Sequence, residues 1–144
     1  MTHSRVSLQA INEVARLRHD LRTPVNQIIG YCEMLLEDAQ EPDFAHRQQA
    51  CTDALHASRN VTSLIDAGLP ADVTVLNAEA VRRLYEAIRD PQARILAAMG
   101  SLLLNGKAAD SVEYIGDVRR IREAAERLIP TDRRRAEPTS TFEV

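Results

Sequence analysis

Tryptophan is absent, and aromatic residues make up only 3% of the chain. A core built from Leu, Ile, Val and Ala with almost no rings suits packed helices better than a β-sandwich. Cysteine is scarce: Cys32 and Cys51 stand alone, without metal-ligand spacing. They read as small core residues in a reducing compartment. No run approaches the roughly 18 apolar residues that a membrane span needs. The opening MTHSRVSLQ has no long apolar stretch, so no signal peptide is expected and the expected location is cytoplasmic. Neither sign of charge dominates: the net charge is −3, with acids and bases interspersed. That excludes the basic face or stripe of a general nucleic-acid binder. Glycine occurs five times, and neither GxxxxGK[ST] nor GxGxxG occurs, so no phosphate-cradling loop is available. An alternating strand and helix pattern is missing as well.

What remains, over 144 residues of which 44% are apolar, is helix. From Ser7 to about Asp38, apolar residues recur at steps of three and four: Leu8, Ile11, Val14, Leu17, Leu21, Val25, Ile28, Ile29, Cys32, Leu35, Leu36. Pro42 and Asp43 suit the start of a second helix running to about Asp66. Gly68 and Pro70 mark a loop. A third helix spans about Ala78 to Leu104 and stops at Asn105-Gly106, a good C-terminal signal. The fourth runs from about Ala109 to Ile129 and ends at Pro130. The expected fold is an all-α, antiparallel four-helix bundle of two hairpins. Residues 7–66 form the first hairpin, 67–77 the linker and 78–130 the second hairpin. The polar tail 131–144, with its Arg133, Arg134 and Arg135 run, is expected to be disordered or a solvated linker.

The two hairpins resemble each other. Shifting the first helix by 67 residues lays Leu17 over Leu84, Arg22 over Arg89, Pro24 over Pro91, Ile28 over Ile95, and Leu35-Leu36 over Leu102-Leu103. The second and fourth helices align at an offset of 64, with Asp53 over Asp117. Leucine matches alone mean little. Two interior prolines at the same phase carry more weight, because each costs a helix roughly 3 kcal/mol. A duplication follows, in which neither unit buries its apolar face alone.

The candidate chemistry lies in residues 18–38, RHDLRTPVNQIIGYCEMLLED. His19 and Thr23 are one turn apart on a single face. Asp20 follows the histidine at once. A carboxylate bound to Nδ1–H would fix the tautomer and leave Nε2 a nucleophile. Pro24 loosens the backbone one turn on and can bend the helix there.

This stretch resembles the phospho-acceptor box of the dimerisation and histidine phosphotransfer domain of two-component sensor histidine kinases. The resemblance implies that His19 is the phosphoacceptor and Asp20 the acid that activates it. It implies that Thr23 positions water when the domain acts as a phosphatase toward a receiver, and that Pro24 bends the helix. The ATP-binding domain that follows such a hairpin has no counterpart here, so self-phosphorylation is not expected. In the second copy Glu86 stands at the histidine position, Ala87 at the acid and Asp90 at the threonine, so that half is chemically silent. One chain would then supply both hairpins of a monomeric pseudo-dimer with one live histidine, although a homodimer is also compatible with the pattern.

Three functions fit. A histidine phosphotransfer module would carry a phosphoryl group on His19 and exchange it with an aspartate of a response-regulator receiver. It would need no cofactor of its own, the magnesium belonging to the receiver, and a histidine kinase acting in trans is a further expected partner. A non-catalytic dimerisation or docking module of a larger signalling protein is the alternative. A receiver phosphatase using Thr23 is the third. A paired histidine and acid favours the first, because docking needs neither.

Overall fold

The computed structural model describes residues 2–107 and 110–130, with side chains from residue 13 onward. It contains α1 (Thr2–Asp38), a 3-10 turn (Pro42–Phe44), α2 (Ala45–Gly68), α3 (Ala78–Leu104) and α4 (Val112–Glu126), and no strand among the described residues. Each of α1 and α3 packs against both α2 and α4, whereas α1–α3 and α2–α4 lie across the diagonals. The chain is therefore the expected all-α four-helix bundle of two hairpins.

Helix α1 begins before Ser7, because residues 2–6 hold no breaker and a helix can outrun its apolar stripe. Leu8 and Ile11 of that stripe fall outside the described side chains. Pro42 opens a short turn rather than α2 itself. Helix α3 has the expected limits, and its start is fixed by the Asn77 side chain, which accepts the Ala80 N–H at 3.0 Å. Its end is not a left-handed glycine cap. Asn105 has φ −95° and ψ 17°, and its side-chain amide donates back to the Ser101 carbonyl at 2.9 Å. Helix α4 is shorter than expected at both ends. The Ser111 side chain accepts the Tyr114 N–H and sets Val112 as the first residue; residue 109 lies outside the described residues. The last turn tightens at Leu128, whose N–H reaches the Ala125 carbonyl, ahead of the restriction that Pro130 imposes on Ile129. The tail expected to be disordered, 131–144, lies outside the described residues.

The core has the phase of the repeat. Leu21 and Ile88, Pro24 and Pro91, Ile28 and Ile95, Cys32 and Met99, and Leu35 and Leu102 are buried pair by pair. Ala54 and Val118, Ala57 and Ile121, and Val61 and Ala125 follow the offset of 64. The match slips by one residue at the ends of α2 and α4, where Ile65 is fully buried but Leu128, not Ile129, fills the corresponding place. Each fully buried isoleucine contributes about 1.5–3 kcal/mol.

Cys32 and Cys51 are free thiols with no solvent exposure. Burial pushes Cys32 up to about 12, with the Cys51 and Glu33 charges adding to it. Burial pushes Cys51 up to about 11, against the pull of Arg47. Both folded values lie above the 9.0 of a free thiol, so the stability held in the protonated thiols is complete below pH 9 and is lost as the pH rises through 11 to 12. At pH 8 a thiol reagent should leave the native protein unmodified and titrate two thiols in denaturant. Rapid modification of the native protein would contradict this burial. Urea midpoints should fall above pH 9.

Candidate functional site

Leu21, Pro24 and Val25 anchor the middle of α1 in the core. The helical period then turns His19 and Thr23 outward, and both are exposed. The Thr23 hydroxyl donates to the His19 carbonyl at 2.9 Å. Pro24 has no N–H, so the Asp20 carbonyl loses its helical donor. Two successive carbonyls on this turn thus depart from ordinary helical pairing, one bonded twice and one not at all from within the helix, while α1 continues unbroken to Asp38.

Asp20 is exposed too, but adjacent helical positions diverge by about 100°. Among the described residues neither its carboxylate nor the His19 ring has a hydrogen-bond or ion-pair partner. The structure therefore brings the Thr23 hydroxyl to the backbone of His19, buries Pro24, and gives Asp20 no bonded partner among the described residues.

Two arginines to which the sequence pattern assigns no site role bracket the histidine. Arg18 donates from Nε to the Leu69 carbonyl at 3.0 Å and from Nη2 to the Pro70 carbonyl at 3.3 Å. Arg22 pairs with Asp66, and its buried Nε has no partner among the described residues. Both tie the His19 turn to the end of α2, where backbone carbonyls carry partial negative charge. The signal was present in the sequence: Arg18 and Arg22, four apart, share a flank of α1, and Asp66 closes the last apolar step of α2.

The corresponding turn of α3 is an ion-pair surface. Glu86 is exposed and pairs with Arg82, which also binds Glu79. The Arg82 hydrogen bond holds the Glu79 carboxyl below the usual range. Asp90 pairs with Arg94 at 3.2 Å. Pro91 is buried as Pro24 is. A groove of about 920 Å³ between α2 and α3, lined by His46, Asp53, His56 and Arg94 among others, touches none of the expected site residues. Among the described residues no cluster of three or more His, Cys, Asp or Glu side chains could hold a metal ion, and no helix is long and apolar enough to cross a membrane.

Residues 10–67 match the family model of the His Kinase A (phospho-acceptor) domain, a match that covers α1 from its first third and nearly all of α2. No curated protein and no solved structure matches the chain. The match spans the first hairpin, the stretch with His19, Asp20, Thr23 and Pro24 included, and covers less than half of the chain.

Proposed function

We propose that the chain, through its first hairpin of the His Kinase A phospho-acceptor type, is a histidine phosphotransfer module that carries a phosphoryl group on His19. The observation that carries this reading is an intact HDLRTP turn whose histidine is exposed, its ring without a partner among the described residues. A ring nitrogen with a free lone pair attacks the phosphorus of an aspartyl phosphate on a receiver. The N–P bond forms, the aspartyl O–P bond breaks, and the receiver's carboxylate leaves. The positive charge gained by the imidazole is offset by Asp20, whose unpaired carboxylate is free to turn to the ring once a partner covers the site. Positioning and charge neutralisation do most of the catalysis, with magnesium supplied by the receiver. Thr23, whose hydroxyl donates to the His19 carbonyl, would orient water in a separate reaction, the hydrolysis of the receiver's aspartyl phosphate. The protein then works in the compartment of its receiver, the cytoplasm.

Incubated with labelled ATP and magnesium alone, the chain should stay unlabelled. Addition of a phosphorylated receiver or an active histidine kinase should introduce a label that is acid-labile and base-stable, as a phosphoramidate is. Labelling by ATP alone, or an acid-stable label, would overturn the proposal in favour of a kinase or a phosphoserine or phosphothreonine substrate. Failure to label with any partner would leave the docking module as the function.

A further inference from the structure

The hairpin tips hold a contact that does not obey the repeat. The Arg47 guanidinium lies 4.3 Å from the Phe44 ring and 3.7 Å from the Tyr114 ring, and it pairs with Asp110. The Asp110 side chain is only 8% exposed, and its second oxygen accepts the Lys107 N–H at 2.7 Å. Arg47 belongs to the first hairpin, whereas Tyr114 and Asp110 belong to the second. Two further contacts cross between the hairpins: Arg127 donates to Gln27 at 2.7 Å, and His46 Nε2 meets the Ser101 hydroxyl at 3.1 Å.

The repeat offsets show what each contact would become if like paired with like. Two first hairpins would set Arg47 against His46 and Ala50, where Asp110 and Tyr114 now stand. Gln27 would face Leu64 instead of Arg127, since the match slips by one at these helix ends, and His46 would face Met34 instead of Ser101. Two second hairpins would leave Asp110 facing Ser111 in place of its cation, and would set Arg127 against Arg94. Every one of these contacts exists only in the pairing of a first hairpin with a second. The ion pair and ring contacts at the tip are sheltered from solvent, where such interactions are strongest.

We infer that these contacts, the Arg47 clasp foremost, form a pairing code by which the first hairpin takes the second hairpin of its own chain and rejects a second copy of itself. Specificity of this kind combines an attractive match with a penalty on the wrong partner. Arg47→Glu in the full chain sets a carboxylate against Asp110. Exchanging whole hairpins between chains would not relieve that clash, because the same two surfaces would still meet; only like-with-like pairing escapes it.

Light scattering across a concentration series tests the code. The unaltered chain should show the 16.1 kDa mass of one chain throughout. Arg47→Glu should raise the dimer-to-monomer ratio about tenfold or more at equal concentration, the scale expected from losing two ring–cation contacts of ordinary strength. Combining Arg47→Glu with Asp110→Arg should return the monomer. Should Arg47→Glu fail to fold, Asp110→Asn, which leaves Arg47 between its rings, should raise the same ratio by a smaller factor. A helical, monomeric Arg47→Glu chain, an unaltered chain of dimer mass, or a double variant that stays dimeric would each overturn the inference.

Discussion

A His19→Gln chain, offered a phosphorylated receiver or an active partner kinase, takes up no label, while the unaltered chain takes up one phosphoryl group. The loss is complete because an amide side chain forms no phosphoramidate. The fold is untouched, because His19 is exposed on a helix and such positions tolerate substitution within about 0.5 kcal/mol. Asp20→Asn slows transfer without abolishing it, since the amide cannot offset the imidazolium charge. Its hydrogen bond to the ring is absent from the free protein, so the effect should fall on the transfer step rather than on the affinity for the receiver. Thr23→Ala spares transfer and lowers the loss of phosphate to water. Glu86→His creates no second acceptor, because Ala87 offers it no acid and Arg82 and Glu79 crowd the turn with an ion pair. Label that survives in His19→Gln would sink the assignment.

An Ile95→Ala chain loses about 2–5 kcal/mol of stability, a large share of the total for a domain of this size. Ile95 is fully buried, and its repeat partner Ile28 is too, so Ile28→Ala should cost a comparable amount. The consequence reaches across the bundle. Neither hairpin covers its apolar face alone, so a cavity in α3 lowers the melting temperature of α1 and α2 along with its own, by on the order of 10 °C. Between the variant's midpoint and that of the unaltered chain, His19 should no longer accept label, although the substitution lies in the other hairpin. Two separate transitions, with labelling unimpaired across that interval, would show hairpins that fold independently.

The four helices were legible because a period of 3.6 leaves a trace in the apolar residues whatever the tertiary context. The Leu21, Ile28 and Leu35 series was assigned to a helical face, with Ile95 and Leu102 as its repeat, and all are buried. Helix ends were less legible, because they depend on single side chains such as Ser111 and Asn105 acting through backbone angles. The site was legible where chemistry and spacing coincide, as in the one-turn separation of His19 from Thr23. Arg18 was not, since its partners are backbone carbonyls fifty residues away, which carry no sequence signature. Nor was the Arg47 clasp, because Phe44, Arg47, Asp110 and Tyr114 meet only after both hairpins have formed.

Arg18 also fixes where the chain crosses from one half to the other. Residues 69–77 join α2 to α3, and the first of them are pinned to the His19 turn by Arg18. A tether this short holds the second hairpin at an effective concentration on the order of millimolar. A free competitor present at micromolar levels would have to bind about a thousandfold more tightly to displace it. The pairing of the two hairpins within one chain is then insensitive to how much protein is made. A bundle assembled from separate chains has no such protection, because its occupancy falls as its subunits are diluted.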